Sequence, residues 1–263
     1  MQRRRICLCL IIPAAFISSP QTPDGARTPF VTGLYDPLGL AFDSAGNLFA
    51  TEPYGGSIVK ITAEGVKTTF ASGLGYVTGL AFNGAGDLFV ADWQSGNIYE
   101  FSPGGARSTF ASGLVHPIPL AVNSAGDVFA GDLTGTIYEF TAEGIRTTFA
   151  SGLSQPDGLA FNAAGDLFEA DAVLDSSGGG NIYEFSPDGA RSTFASGLSQ
   201  PSGVAIDSAG DIFEADYSSG NIYRFTPDGV RTTFASLQSP VGLTFQPIPE
   251  PSALGLMPLH ERT

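Results

Sequence analysis

Sulfur is almost absent from this sequence. Its only two cysteines, Cys7 and Cys9, lie at the extreme N-terminus, so the rest of the chain has neither a thiol nor a disulfide. A cysteine–histidine catalytic pair is therefore excluded from the body of the protein. Packing has to supply the stability that disulfides give to many exported domains.

Basic residues are scarce as well. Lysine and arginine together number 12 against 26 aspartates and glutamates, which gives a formal net charge of −14. Because such a surface repels phosphate groups, we expect no nucleic-acid partner. Histidine occurs only at His116 and His260, so the body of the chain offers His116 as its one candidate imidazole base.

Long apolar runs are limited to the N-terminus. Residues 1–19 combine three arginines with an apolar run, Ile6–Ile17, and two serines. This segment resembles a secretory signal peptide and is too short to span a bilayer as a mature helix. We therefore expect a monomer without a stable membrane span, secreted from a bacterium or held in its cell envelope.

The other end of the sequence, residues 247–263, is rich in proline, which cannot continue a sheet. Its run PEPSALGL resembles the opening of a PEP-CTERM sorting signal of exported bacterial proteins. That family continues with an apolar helix and a basic tail, whereas this sequence reaches Thr263 without them. The resemblance implies export rather than anchoring, and a linker is the alternative.

Glycine and phenylalanine are abundant, and they follow a repeat. The pattern SGLxxPxGLAFNxAGDLFxADxxSGNIYEFSPDG occurs five times with small changes. One glycine per copy gives the register, in steps of 40, 40, 39, 45 and 40 residues: Gly25, Gly65, Gly105, Gly144, Gly189 and Gly229. A period of this size is typical of architectures in which each unit is buried against its neighbours.

The second copy indicates what one unit forms. It contains four short segments with the alternation of strands, separated by turn residues: Thr78–Phe82, Leu88–Ala91, Asn97–Phe101 and Arg107–Ala111. Four antiparallel strands per repeat predict a β-propeller blade and an all-β fold. The blades are expected to begin at Leu38, Thr78, Ile118, Asp157 and Ser202.

Each predicted fourth strand starts with a basic residue, which discourages pairing of this outer edge with another chain. If the third and fourth strands form a hairpin around the PGG or PDG turn, Glu100 faces Arg107. We expect an ion pair there and in the corresponding hairpins.

Two strands are left over, Ala26–Val31 before the first blade and Val241–Phe245 after the last. Together they would close the ring and remove its exposed edges. We therefore predict one propeller domain over residues 20–246, six-bladed, with an incomplete last blade closed by both termini. A five-bladed ring with two stray strands is the alternative.

Residues 26–246 closely resemble NHL-type repeats and the wider gluconolactonase-like and streptogramin-lyase-like propellers. The resemblance implies the fold, but these propellers include enzymes, binding modules and scaffolds. Gluconolactonase-like enzymes hold a divalent metal with an acidic residue, an asparagine and an aspartate at the channel. Because the motifs around those ligands are not found here, and no catalytic histidine matches the lyases, no role is transferred to a particular residue.

The copies differ mainly in two links, one leading into each first strand and one joining the second and third strands. Both fall at the same end of a blade, and loops on a rigid scaffold are the usual place for binding. Loops also diverge where nothing constrains them. Aromatic residues favour a ligand surface on this rim, for a protein or a carbohydrate: Tyr35, Tyr54, Tyr76, Trp93, His116 and Tyr217.

Every second strand ends in an acidic residue: Glu52, Asp92, Asp132, Asp171 and Asp216. A ring of carboxylates suits Ca²⁺, which prefers oxygen ligands. The alternative is that each carboxylate accepts hydrogen bonds from the backbone of its own following turn. Because repetition in every copy favours a structural role, we predict no cofactor, and Ca²⁺ is the ion that this set would suit.

Two further acids, Glu169 and Glu214, stand within the second strand where other copies have Ala50, Val90 or Ala130. Two carboxyl groups brought together away from water would raise one pKa and could perform acid–base chemistry. The alternative is that they point into a wet crevice between blades. With His116 they are the catalytic candidates of this sequence.

The sequence favours a secreted, non-catalytic binding or surface-interaction module that uses one aromatic and acidic rim. A metal-dependent hydrolase or lyase of the gluconolactonase or streptogramin-lyase kind is the alternative.

Overall fold

The computed structural model describes residues 8–12, 16–18, 29–173 and 179–246, and it describes side chains at residues 31, 33–173 and 179–246. Five four-stranded antiparallel sheets follow one another along the chain, each formed by one repeat. They are the blades of an all-β propeller, numbered 1 to 5 in chain order, as the period of the sequence predicts.

The strands of blades 1 and 2 are β4 Leu40–Phe42, β5 Leu48–Glu52, β6 Ser57–Ile61, β7 Lys67–Ala71, β8 Val77–Phe82, β9 Leu88–Asp92, β10 Asn97–Phe101 and β11 Arg107–Ala111. Those of blade 3 are β12 Leu120–Val122, β13 Val128–Asp132, β14 Thr136–Phe140 and β15 Arg146–Ala150. Blades 4 and 5 contain β16 Pro156–Phe161, β17 Leu167–Asp171, β18 Gly180–Phe185, β19 Arg191–Leu198, β20 Pro201–Ile206, β21 Ile212–Asp216, β22 Asn221–Phe225 and β23 Arg231–Ser236. A 3-10 turn, Pro53–Gly55, lies between β5 and β6.

The remaining strands form a further four-stranded sheet, which we call the terminal sheet. Its order is β24 (Leu243–Phe245), β1 (Leu8–Ile12), β2 (Phe16–Ser18) and β3 (Pro29–Thr32). The first strand, β24, contacts the first strands of blades 5 and 1. Leu243 packs with Ala205 and Phe213 of blade 5.

The prediction of six blades with an incomplete, two-stranded last blade is not supported. The repeats form five blades, the number in the alternative, and the leftover strands lie at the two edges of the terminal sheet. The difference arises because β1 and β2 lie between β24 and β3 and pair with them. Both strands belong to a segment that the sequence assigns to a signal peptide. An apolar run rich in isoleucine and leucine suits a strand as well as a signal peptide.

The turn between the first and second strands shows why these strands form where they do. In blade 2 the side-chain oxygen of Asn83 accepts hydrogen bonds from the backbone N–H groups of Ala85 and Asp87, at 3.0 and 2.8 Å. Gly86 then takes φ of +90°, which favours glycine. The other four blades repeat this arrangement with Asp or Asn in the first position. The sequence motif therefore fixes one hairpin per blade.

The core lies between blades rather than inside any one of them. The second strands of blades 2 to 5 are buried along their whole length, because each is covered by a neighbouring sheet on both faces. Phe129 of blade 3 illustrates the packing: it meets Phe149 of its own blade and Phe161 of blade 4 edge to face, with ring centroids 5.0 and 4.9 Å apart. Such aromatic pairs add to the burial of apolar area.

The first strands surround the propeller axis closely enough to require glycine. A Cβ atom on Gly79 would lie 2.3 Å from the carbonyl oxygen of Ile118 in the next blade. Gly203 has the same relation, at 2.2 Å, to the carbonyl oxygen of Val241. This close approach explains the glycine that stands two residues after the proline position in most copies.

The outer strands carry the predicted basic residues at exposed positions, but the predicted ion pairs with glutamate are wrong. Glu100 pairs with Ser108 and Arg107 pairs with Phe101. The turn sets this register, because it is closed by a hydrogen bond from the backbone N–H of Ser102 to the carbonyl oxygen of Ala106. The guanidinium of Arg107 lies over the ring of Tyr99, 5.2 Å from its centroid. Blades 3, 4 and 5 repeat this cation–π contact.

Within the described residues, no helix has the length and apolar character needed to cross a membrane. The predicted C-terminal tail, 247–263, and residues 1–7, 13–15 and 19 of the predicted signal peptide lie outside the described residues.

Candidate functional site

Both variable links of each blade lie at one end of the propeller, as the sequence predicts. In blade 2 the backbone N–H of Trp93, after the second strand, donates to the carbonyl oxygen of Tyr76, before the first strand, at 2.8 Å. The corresponding bonds join Leu133 to Val115 and Tyr217 to Gln200, each at 2.9 Å. In each of these blades the two links therefore lie side by side at the same end, where they form the rim.

Five rings on this rim follow one another across blades 1 to 3, and we call them the aromatic arc: Tyr35, Tyr54, Tyr76, Trp93 and His116. Successive ring centroids are 6.1, 5.5, 5.8 and 3.8 Å apart. The first three contacts are edge to face, and the last is stacked. The outer rings are the most exposed, with Tyr35 at 67% and Tyr54 at 66%.

One tyrosine of the arc, Tyr76, has a shifted pKa. Burial, followed by the neighbouring Tyr54, raises the pKa of Tyr76 to about 12, so its hydroxyl stays protonated over the physiological range. Tyr76 is half-buried where the arc reaches the propeller axis.

The sixth predicted rim residue stands apart. Tyr217 belongs to blade 5 and is 38% exposed, but among the described residues no ring contact joins it to the arc. The sequence groups six rings by their place in the repeat, and the structure brings five of them together.

A cavity of 530 Å³ follows the propeller axis and opens beside the arc. The first strands and the residues just before them supply most of its wall, including Leu38, Leu80 and Ile118, and Tyr76 and Trp93 also line it. This volume is within the range of small-molecule sites, about 300–1,000 Å³. The axis of the propeller therefore holds a mainly apolar site.

Asp157 is the single carboxylate among the residues that line this cavity. Burial raises its pKa to about 7, with a smaller contribution from Asp171, while a hydrogen bond from Gln155 acts in the opposite direction. From the sequence, Asp157 is expected only to mark the start of a blade. The signal was present in the repeat, since the equivalent positions in blades 1 and 3 are Leu38 and Ile118.

The carboxylates at the ends of the second strands hold the two links of their own blades together. Asp92 accepts hydrogen bonds from the backbone N–H groups of Gly75, Gln94 and Ser95, at 2.9, 3.1 and 3.2 Å. Glu52, Asp132, Asp171 and Asp216 likewise accept backbone N–H bonds from the link that precedes the first strand.

This geometry bears on the expected Ca²⁺ site. Among the described residues, no group of three or more histidine, cysteine, aspartate or glutamate side chains is arranged to hold a metal ion. The carboxylates of the second strands direct their oxygens to backbone donors of five separate blades. As a set, they do not fit a shared cation.

Glu169 and Glu214 are fully buried, so neither points into a wet crevice. They are also not brought together. Leu167, on the same strand face as Glu169, packs against Phe129 of blade 3, whereas Ile212, on the same face as Glu214, packs against Phe168 of blade 4. The two acids therefore occupy successive spaces between blades.

No carboxylate oxygen of Glu169 or Glu214 has a hydrogen-bond partner among the described residues. Burial is the main reason that the pKa of each lies well above the usual value of 4.5, with Asp171 adding to the shift at Glu169 and Asp216 at Glu214. A carboxyl group in such surroundings keeps its proton.

His116, the third catalytic candidate, belongs to the arc. Its Nδ1 lies 2.8 Å from the carbonyl oxygen of Trp93, which requires Nδ1 to carry the proton and donate it. His116 has φ of +52° before Pro117, a conformation rare for residues other than glycine. The backbone thus turns the imidazole onto the indole.

The sequence matches no protein-family profile, and no curated protein matches it. Similar solved structures include a chain of a nidogen–laminin complex, with a TM-score of 0.78, 20% identity, and coverage of 92% of this chain and 98% of that chain. A virginiamycin B lyase from Staphylococcus aureus has a TM-score of 0.69 at 17% identity, over 89% of this chain and 85% of its own.

A gluconolactonase from Xanthomonas campestris gives a TM-score of 0.71 at 17% identity, over 92% of this chain and 91% of its own. At these identities the likeness shows the fold alone. The protein is a β-propeller with NHL-like repeats, and its structural neighbours include streptogramin B lyase and gluconolactonase-like propellers.

Proposed function

We propose that this protein is a non-catalytic binding module whose binding surface is the aromatic arc. The observation that carries the proposal is the unbroken series of ring contacts from Tyr35 to His116 across three blades. Aromatic side chains are the commonest anchors of binding surfaces, because they bury a large area at a small cost in conformational entropy. The ligand is an extended protein segment or a carbohydrate chain that crosses neighbouring blades.

The exposure of the outer rings supports this proposal. Tyr35 and Tyr54 expose about two thirds of their surface, although each could have been replaced by a polar residue without loss of core packing. The carboxylates beneath them are engaged by backbone N–H groups, so the arc stands on a rigid base. A rigid aromatic surface loses little freedom when a ligand binds.

Export from a bacterium belongs to the same proposal and rests on the terminal segments of the sequence. N-terminal sequencing of protein recovered from the culture medium of an expressing strain tests it. Recovery of protein only from inside the cells would contradict export.

The test of binding uses a panel of cello-, xylo- and manno-hexaoses and a display library of linear peptides, with calorimetry as the readout. Tyr54→Ala should weaken binding of any ligand found by about 2 kcal/mol or more. Tyr217→Ala is the matched control, because Tyr217 is an exposed rim tyrosine outside the arc. A ligand that is unaffected by Tyr54→Ala and Trp93→Ala together would overturn the proposal.

The rival proposal is a metal-dependent hydrolase or lyase of the gluconolactonase or streptogramin-lyase kind. Its support is the shared fold, which serves many functions. In the part of the chain that the structure describes, no group of three or more histidine, cysteine, aspartate or glutamate side chains is arranged to hold a metal ion. Hydrolysis of a lactone or opening of a cyclic depsipeptide, lost on treatment with a chelator, would favour this rival over the binding module.

A further inference from the structure

The central cavity has a chemical character that the rim does not explain. Its wall is mainly aliphatic, with Leu38, Leu80, Ile118, Leu159 and Val204 among the contributing residues. Its volume of 530 Å³ would accommodate a small organic molecule. An apolar wall favours a ligand with an apolar body. The polar groups of the wall then decide which polar or charged group the ligand must also have.

Two of these polar groups serve the protein itself. The hydroxyl of Thr78 donates to the carbonyl oxygen of Pro117 in the next blade, at 2.9 Å. The hydroxyl of Ser202 donates in the same way to Pro240, at 3.0 Å. Both hydroxyls therefore join adjacent sheets and do not need a ligand.

Asp157, at the equivalent position of blade 4, is different. Its described hydrogen-bond donor is the side-chain amide of Gln155, with Nε2 at 3.0 Å from Oδ1 and 3.3 Å from Oδ2. A carboxylate has about four acceptor positions, so one amide leaves most of its capacity unused. No joint between blades requires an acid here, since the equivalent residue is Ile118 in blade 3 and Ser202 in blade 5.

The aromatic rings that line the cavity favour the same kind of ligand as the Asp157 carboxylate, a cation. Tyr76 and Trp93 both contribute to the wall, and the faces of such rings attract cations. The net charge of −14 adds a field that concentrates cations at the protein surface. An apolar wall, one carboxylate and two aromatic rings together match a cation that carries an apolar body.

We propose that the central cavity binds a small organic cation, a protonated amine on an apolar body, with the ammonium group on the Asp157 carboxylate and the body against the first strands and Trp93. The inference does not depend on the arc having a ligand. Trp93 belongs to both surfaces, but the group that binds the ammonium, Asp157, belongs to blade 4 and not to the arc. Burial already makes the ionised carboxylate costly without a partner, as its raised pKa indicates, and a bound cation would remove that cost.

The test compares two probes of nearly equal shape, 2-phenylethylammonium and neutral 2-phenylethanol, at pH 8 with the full-length protein. Trp93 is the only tryptophan, so its fluorescence reports binding in the cavity, and calorimetry gives the affinity. We expect the cation to bind more than about tenfold tighter than the alcohol. Asp157→Asn should abolish this preference, and Asp157→Glu should retain part of it.

Equal binding of the two probes, or no binding of either, would overturn the proposal even if Asp157→Asn failed to fold, because both comparisons use the unaltered protein. A preference for the cation that persists in folded Asp157→Asn would overturn the role of Asp157. Loss of hexaose or peptide binding in Tyr54→Ala concerns the arc alone, so the two proposals fail separately.

Discussion

The imidazole of His116 stacks on the indole of Trp93, with ring centroids 3.8 Å apart and planes inclined by 20°. The two residues come from different blades, since Trp93 follows the second strand of blade 2 and His116 precedes the first strand of blade 3. The contact is reinforced by the hydrogen bond from His116 Nδ1 to the carbonyl oxygen of Trp93. A histidine that sequence alone presents as a candidate base thus joins two blades and ends the aromatic arc.

The first prediction concerns this stacking. His116→Ala should uncover one face of the indole, so quenching of Trp93 fluorescence by acrylamide should increase and the emission maximum should move to longer wavelength. His116→Phe is the matched variant, because it keeps a ring for stacking and loses only the Nδ1 donor. Identical quenching in the Ala variant and the unaltered protein would show that the imidazole does not cover the indole.

The second prediction concerns the carboxylates at the ends of the second strands of the blades. It distinguishes their role as acceptors for backbone N–H groups from a role in binding Ca²⁺. Asp92→Ala leaves three backbone N–H groups without their acceptor, which should cost about 1–3 kcal/mol. For a chain of this size each kcal/mol lowers the melting temperature by about 2–4 °C. The exposed Asp228→Ala is the control and should change little.

Calcium provides the complementary measurement. Because the carboxylates are directed to backbone donors, chelator should leave the melting temperature of the unaltered protein unchanged. A large stabilisation by millimolar calcium, lost in Asp92→Ala, would contradict this interpretation and restore the metal site.

The repeat made most of the fold predictable. A motif such as Asn83–Asp87 specifies a turn through its own side-chain bonds, and the alternation around it specifies the strands, so local physics is enough. The hairpin register was predicted one residue out, because it depends on how many residues the turn encloses, and this turn closes between Ser102 and Ala106. The terminal sheet was missed for another reason, since Leu8–Ile12 has the composition of both a strand and a signal peptide.

The site was predictable in position but not in detail. The variable links marked the rim correctly, since loops of a repeat share one end of the blade. Which rings touch depends on distances between blades, so the separation of Tyr217 from the arc could not be read from the sequence. Predicting that Glu169 and Glu214 lie apart would have required knowing which neighbouring blade each strand face packs against. Asp157 could have been found by comparing the first strands of the copies.

The third prediction tests the terminal sheet. The backbone of Leu8, Cys9 and Leu10 pairs with Phe245, Thr244 and Leu243. Removal of residues 1–19 would leave Leu243–Phe245 without its described partner strand, and Leu243 is part of the packing on blade 5. We expect a lower melting temperature and a less cooperative transition.

Replacement of Arg3, Arg4 and Arg5 by glutamine is the control for that deletion, because it removes the charges of the predicted signal peptide and keeps the strands. It should leave melting unchanged. If the protein without residues 1–19 melts like the full chain, β1 and β2 are dispensable. Their cleavage on export would then not lower the stability of the fold.

The fourth prediction follows from Glu169 and Glu214. Burial raises the pKa of both well above 4.5, so the folded protein keeps two protons that the unfolded chain releases near its ordinary pKa of about 4.3. Where the folded state binds more protons than the unfolded state, the free energy of unfolding falls as pH rises. The contribution of these groups is therefore fully present below about pH 4 and is lost progressively as the pH rises toward their folded pKa values.

Glutamine imitates the protonated side chain and cannot ionise, so Glu169→Gln with Glu214→Gln isolates this effect. At pH 4 the double variant and the unaltered protein should unfold at nearly the same urea concentration. At pH 8 the variant should be the more stable, and its stability should depend less on pH. Glu143→Gln, at an exposed position, is the control and should keep the original pH dependence. Parallel curves for the double variant and the unaltered protein would mean that both acids are ionised in the folded state, with partners that satisfy their charge.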